Sequence, residues 1–303
     1  MDRVTRRTAS SWQASFVVLS TIWGASFMFI KVELEALDPL VVALARVVFG
    51  AATLLIVLAI RREGLPRNRT VLRDLFVVAL FYNSIPFALF AFGEQHASSI
   101  VAAIGNATTP LWTVVFAIAL LPSEAATPGR VGGVLLGFAG VLVLLGPWHG
   151  LGGPSLLGTL LCLGAGICYG FAFTYTRRHL SGRPESHLSL AGAQILIATV
   201  QLAVVTPFFS SAPSHIPLKV WGSVLALGAL GTGLAYVLSY DVIARAGATT
   251  ASLVTYVVPL FATFFGVVLL SESLSWNEPV GAAVIIVGAA VSQGVLRRAT
   301  VAA

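Results

Sequence analysis

Two aromatic pairs are the residues best suited to hold a small solute. Trp23 and Phe27 are four apart, and so are Tyr169 and Phe173; on a helix that spacing puts both rings on one face. Polar side chains recur in equally apolar surroundings: Tyr82 and Asn83, Asn106 and Thr109, Tyr236 and Tyr240, Thr255 and Tyr256. Aromatic faces beside hydroxyls and amides suit an amphipathic zwitterion, with stacking for its side chain and hydrogen bonds for its amino and carboxyl groups. Nothing is spaced for covalent chemistry. His96, His149, His179, His187 and His215 lie in or near loops and form no cluster, whereas an embedded enzyme needs clustered nucleophiles, bases or ligands. Cys162 and Cys168 are six apart in one apolar run, a spacing that suits neither a metal pair nor a disulfide. No metal and no cofactor are expected.

Three prolines interrupt the same apolar stretches: Pro86, Pro110 and Pro259. A proline inside a helix removes a backbone donor and bends the axis, so these positions are hinge candidates. Arg46 is the one clear charge within an apolar run. It is expected to snorkel outward or to pair with an acid such as Glu94, with a solute carboxylate as the rival role. Glu124 and Glu272 close two matching apolar runs and read as structural.

The elements that carry these residues are set by composition. Of 303 residues, 57% are hydrophobic and 10% charged, and mean hydropathy is +0.92. A soluble domain carries roughly a quarter charged residues, so the solvent that fits is a bilayer, which takes about 20 apolar residues per helix. Ten spans are expected near 12–31, 39–60, 72–92, 97–121, 129–147, 156–176, 188–208, 219–240, 246–270 and 277–296. Arg3, Arg6 and Arg7 ahead of the first run resemble a secretory leader, but that run continues to Ile30 and reads as a span. The net charge of +6 comes from short basic clusters between spans, not from a continuous face for nucleic acid. With both termini inside, fifteen of the eighteen Lys and Arg residues are cytoplasmic, Lys31 and Lys219 lie outside, and Arg46 is within a span. That asymmetry is the positive-inside pattern of an even-numbered, multi-pass protein of the bacterial inner membrane.

The chain also repeats itself. Shifted by 149, Pro110, Leu111, Phe116 and Leu120 fall on Pro259, Leu260, Phe265 and Leu269; shifted by 148, Glu124, Gly133 and Gly140 fall on Glu272, Gly281 and Gly288. "WGASF" from Trp23 matches "YGFAF" from Tyr169. Each copy holds five spans, and because five is odd the second copy enters the bilayer from the opposite side. The expected units are 1–147 and 156–303, joined by a linker at 148–155. Inverted repeats of this kind characterise secondary transporters, with a binding site near the midplane where helices are interrupted. The expected fold is therefore an all-α membrane protein, ten helices in two inverted five-helix repeats around a central cavity. Gly133, Gly137 and Gly140 form a small-residue face for close packing within that bundle.

The "WGASF" of the first span, "LARVVFGAATLLIVL" from Leu44, "TTPLWTVVFAIALLPSE" from Thr108 and "GRVGGVLLGFAGVLVLLG" from Gly129 together resemble the EamA family of the drug/metabolite transporter superfamily. So does "YVVPLFATFFGVVLLSESLSWNEPVGAAVIIVGA" from Tyr256. The resemblance covers essentially the whole chain. It implies a cavity lined by the first, third, fourth, sixth, eighth and ninth helices, and export of amino acids or related metabolites, as in the YddG type of amino-acid exporter. The partners it implies are a small-molecule substrate and the lipid bilayer, with the chain working as a monomer. The first span as drawn ends before any carboxylate, and no span carries one at its middle. Proton relays usually need an intramembrane ionisable group, so facilitated movement is expected. Proton-coupled efflux of drugs or other metabolites is the alternative, and a membrane-embedded enzyme a distant one.

Overall fold

The computed structural model describes residues 2–121, 126–146, 154–213, 215–246 and 254–292, without the side chains of 2–11, 154, 155, 240, 243, 244 and 246. Most of the expected linker, and Glu124, lie outside the described residues.

Among the described residues, every regular element is helical. The first repeat holds α1 (Asp2–Glu33), α2 (Pro39–Arg61), α3 (Arg69–Glu94), α4 (Ser99–Leu120) and α5 (Pro128–Leu145). The second holds α6 (Pro154–His179), α7 (His187–Phe209), α8, α9 (Val254–Leu270) and α10 (Asn277–Ser292). α8 is built from the consecutive segments Leu218–Leu225, Ala226–Leu234 and Ala235–Ala246. Eight of these helices are long and apolar enough to cross a bilayer; α9 and α10 are shorter apolar helices. Helix is what hydrocarbon demands, because each backbone polar group must be satisfied within its own segment. Local sequence marks the starts: Asn68, Ser98, Thr127 and Ser186 accept the backbone N–H groups of Thr70, Val101, Arg130 and Ser189, the N-cap role these residue types favour.

Packing obeys the repeat. α1 lies on α9 as α6 lies on α4, α2 on α8 as α7 on α3, and α3 on α6 as α8 on α1. Two pairs, α2 with α7 and α5 with α10, join equivalent helices of the two halves. Ten helices thus form two inverted five-helix repeats. The α5–α10 seam is glycine on glycine. A Cβ at Gly133 would lie 2.7 Å from the Gly288 carbonyl oxygen; one at Gly281 would lie 3.0 Å from that of Gly140. The small-residue face expected from the sequence therefore serves internal packing. Large apolar side chains such as Ile60, Phe208, Phe209, Leu218 and Leu260 are exposed on the outside, the surface that lipid covers.

The prolines act less symmetrically than the sequence suggests. α4 is interrupted at Ala107–Thr108, between segments ending at Asn106 and starting at Thr109. There the Thr108 hydroxyl donates to the Gly105 carbonyl at 2.7 Å. α9 runs through Pro259 without a break. The residue matching Thr108 is Val257, which has no hydroxyl to replace a helical donor. A different pair of distortions is shared instead. α3 widens into a π-helical turn at Leu80–Ser84, just before Pro86, and α8 does so over Ala226–Leu234. The first stretch, shifted by 149, falls inside the second. Such turns are rare and concentrate at functional sites.

Candidate functional site

A cavity opens where these distortions meet. Its volume is about 80 Å³, against the roughly 10–15 Å³ that one water needs. Nine of the twelve expected residues line it: Trp23 and Phe27 from α1, Tyr82 from α3, Asn106 and Thr109 from α4, Tyr169 and Phe173 from α6, Tyr236 from α8 and Thr255 from α9. All six helices implied by the family resemblance contribute. Ser26, Arg46, Phe87, Phe90 and Val258 complete the wall.

Tyr82 is its hub. The Tyr82 ring centroid is 5.2 Å from that of Tyr169, 5.1 Å from Phe173 and 6.3 Å from Tyr236. Phe90 continues the series, 5.4 Å from Phe27 and 6.0 Å from Tyr169. These separations and tilts are those aromatic pairs prefer, so the rings brace one another while presenting faces and hydroxyls to the interior.

The prolines bear on the same wall. In an α-helix the N–H of residue i bonds the carbonyl of i−4. Pro110 and Pro259 have no N–H to give the carbonyls of Asn106 and Thr255, and both of those residues line the cavity. The wide turns are held by long-range polar contacts. The Trp23 indole donates to the Gly231 carbonyl at 3.2 Å. Asn83 donates to the Tyr236 hydroxyl at 2.9 Å and accepts from Gln194 at 2.7 Å, while Ser84 donates to Gln201 at 2.7 Å.

Three expected residues fall outside the wall. Asn83 is fully buried in the network just described and fixes Tyr236 from behind. Tyr256 packs with Ile100, Leu111 and Ile285 at the base of the α5–α10 seam. The side chain of Tyr240 lies outside the described residues. Gln194 and Gln201, seven apart on α7, were missed by the sequence reading; two amides on one face of an apolar helix were the available signal.

Two expectations about charge are corrected. Arg46 neither snorkels nor binds Glu94. It is 8% exposed, donates through Nε to the Thr232 hydroxyl at 3.0 Å, and stacks 3.9 Å above the Phe87 ring. Nor does the first helix end before a carboxylate. α1 extends to Glu33, α3 ends at Glu94, and both side chains are fully buried with carboxylate oxygens that lack a hydrogen-bond partner. Lys31 donates to the backbone carbonyls of Glu94 and Ala97, at 2.5 and 2.8 Å, rather than to either acid. Glu272 is structural as expected: its carboxylate accepts from the Ser99 N–H and hydroxyl, both at 2.8 Å, capping α4 from the other repeat.

Inverted helical repeats around a polar, aromatic cavity are an architecture of membrane transporters. The chain belongs to the EamA-like transporter family, whose model matches residues 10–146 and again 156–293. It is accordingly a multi-pass membrane transporter with a small-molecule substrate. It is 26% identical to the uncharacterized transporter YoaV of Bacillus subtilis, over 90% of this chain and 93% of the relative. It is 29% identical to an S-adenosylmethionine/S-adenosylhomocysteine transporter of Chlamydia trachomatis, over 83% and 80%. Protein PagO of Salmonella typhimurium is 26% identical, over 82% and 81%. A solved crystal structure superposes with a TM-score of 0.64 at 22% identity, covering 95% of this chain and 98% of that one; at that identity the likeness speaks for the fold alone.

Proposed function

We propose that the protein exports small amphipathic metabolites, above all amino acids including aromatic ones, by alternating access through this cavity. The chain works as a monomer in the bacterial inner membrane with both termini cytoplasmic, the two repeats rocking about Pro86, Pro110 and Pro259. The observation that carries the reading is the make-up of the wall: aromatic faces for a side chain, together with hydroxyls and an amide for a polar head. S-adenosylmethionine, named for one relative, itself joins an amino-acid head to a flat ring system, which agrees with such a wall. Purified protein in liposomes loaded with unlabelled phenylalanine should accumulate labelled phenylalanine by counterflow. Tyr82→Ala or Tyr169→Ala should depress that uptake at least about tenfold at unchanged folded yield, a loss of roughly 1.4 kcal/mol of interaction. No counterflow of any amino acid would remove the reading.

Facilitated movement was expected because the first span and the middles of the others lack acids, and Glu33, inside α1, takes the first half of that premise away. Glu33 and the buried Glu94 favour proton-coupled export as a second reading. An imposed pH gradient with equal substrate on both sides would then drive net movement, and Glu94→Gln would abolish the drive while sparing counterflow. Indifference to the gradient leaves the facilitative form.

A further inference from the structure

We infer that Arg46 anchors the carboxylate of the transported solute, so that the cavity admits carboxylates and zwitterions and refuses simple amines. This rests on the proposed transport through the cavity and adds the chemical class of its cargo.

Arg46 has an incomplete set of contacts. A guanidinium has five N–H donors and no acceptor. Among the described residues, that of Arg46 makes one hydrogen bond, from Nε to Thr232. Its Nη atoms have no protein acceptor, yet they are not among the polar atoms sealed away without a partner. Since Arg46 lines the cavity, the Nη edge opens on that space. Burying a charge is costly unless it is paired and hydrogen-bonded, and an arginine that served packing alone would be matched by an acid. The acids nearby do not match it: Glu33 and Glu94 interact with Arg46 electrostatically, but both keep carboxylate oxygens without a hydrogen-bond partner. No acid lines the cavity among the described residues.

The group is also held for a purpose its own contacts do not serve. The Phe87 ring lies beneath the guanidinium carbon, and Thr232 belongs to the widened turn of α8. One holds the head group against a ring face and the other holds the Nε edge, which leaves the two Nη groups as a fork. That fork matches a carboxylate in bidentate fashion, which a lysine cannot reproduce. An ammonium group on the same solute would meet the Tyr82, Tyr169 and Tyr236 rings and the oxygens of Asn106 and Thr255. A solute with an ammonium and no carboxylate would instead meet a like charge and offer the Nη donors no acceptor.

The test uses three probes of one shape: phenylalanine, 3-phenylpropanoate and 2-phenylethylamine, each as counterflow substrate in liposomes carrying the unaltered protein. The expected result is uptake of the first two and none of the third. In Arg46→Gln, uptake of both carboxylates should fall about tenfold or more, the scale of one hydrogen bond to a charged group. In Arg46→Lys, which keeps the charge and loses the fork, the fall should be intermediate. Size-exclusion profile and melting temperature establish that each variant is folded; if Arg46→Gln does not fold, the probe series and Arg46→Lys decide. Uptake of 2-phenylethylamine equal to that of phenylalanine overturns the inference and leaves the transport reading standing. So does a folded Arg46→Gln with undiminished carboxylate uptake. Uptake of none of the three overturns both together.

Discussion

α3 and α8 occupy equivalent places in the two repeats, share a widened turn at the same register, and use it differently. In α3 the turn carries Tyr82, Asn83 and Ser84; in α8 the matching residues are Gly231, Thr232 and Gly233. α3 contributes bulk and a polar network to α7. α8 contributes a bare carbonyl to Trp23, a hydroxyl to Arg46 and room for α2, since a Cβ at Gly233 would meet Thr53 and one at Gly228 would lie 3.2 Å from the Arg46 carbonyl oxygen. The lesson is that duplication here preserves backbone geometry and close approach, while the side chains diverge to give one asymmetric chamber. A two-fold scaffold need not hold a two-fold ligand.

If the scaffold is shared, damage at equivalent positions should be alike. Gly133→Leu and its counterpart Gly281→Leu should both lower the melting temperature sharply, since even a Cβ at either position meets backbone of the facing helix and overpacking costs about 1–3 kcal/mol or more. Gly132→Leu has open space around it and should melt normally. If the wall is asymmetric, the turns should respond differently. Asn83→Ala takes the acceptor from the buried Gln194 amide and a donor from the Tyr236 hydroxyl and should lower stability by about 1–3 kcal/mol. Thr232→Val removes a hydrogen bond to a buried guanidinium and should also lower stability, by about 1.5–3 kcal/mol, and it should depress counterflow of phenylalanine more than Asn83→Ala does by loosening Arg46. Equal loss of counterflow in the two variants would erase the distinction.

Glu272→Ala removes a cap that one repeat supplies to the other and should cost about 0.5–2 kcal/mol, read as a lower melting temperature. Tyr256→Phe should do least. Its hydroxyl is buried without a partner and outside the wall, so melting should hold steady or rise and counterflow should stay unchanged.

Helix number, span limits and inversion were legible because each depends on apolar runs, basic flanks and an odd repeat, all one-dimensional signals. α4 and α9 show where that legibility stops. Pro110 and Pro259 are plain in the sequence, but the helix breaks only before the first, where Thr108 stands in the place that Val257 takes in the second copy. Most of the wall was found by following aromatic spacing to midplane positions. Asn83 and Tyr256 were misplaced because each is next to a lining residue, and one step along a helix turns a side chain by about 100°. Arg46 was misjudged because its fate was decided by Thr232 and Phe87, neither near it in the chain. Glu33 was missed because α1 runs two residues past the expected end of its span.

The central claim is one chamber reached in turn from each side of the membrane. Thr255→Cys, in a chain also carrying Cys162→Ala and Cys168→Ala, puts a single thiol on the wall. A membrane-impermeant maleimide should modify it when added to either face of oriented vesicles, and phenylalanine should slow the reaction from both. Modification from one face only, with or without phenylalanine, would contradict alternating access.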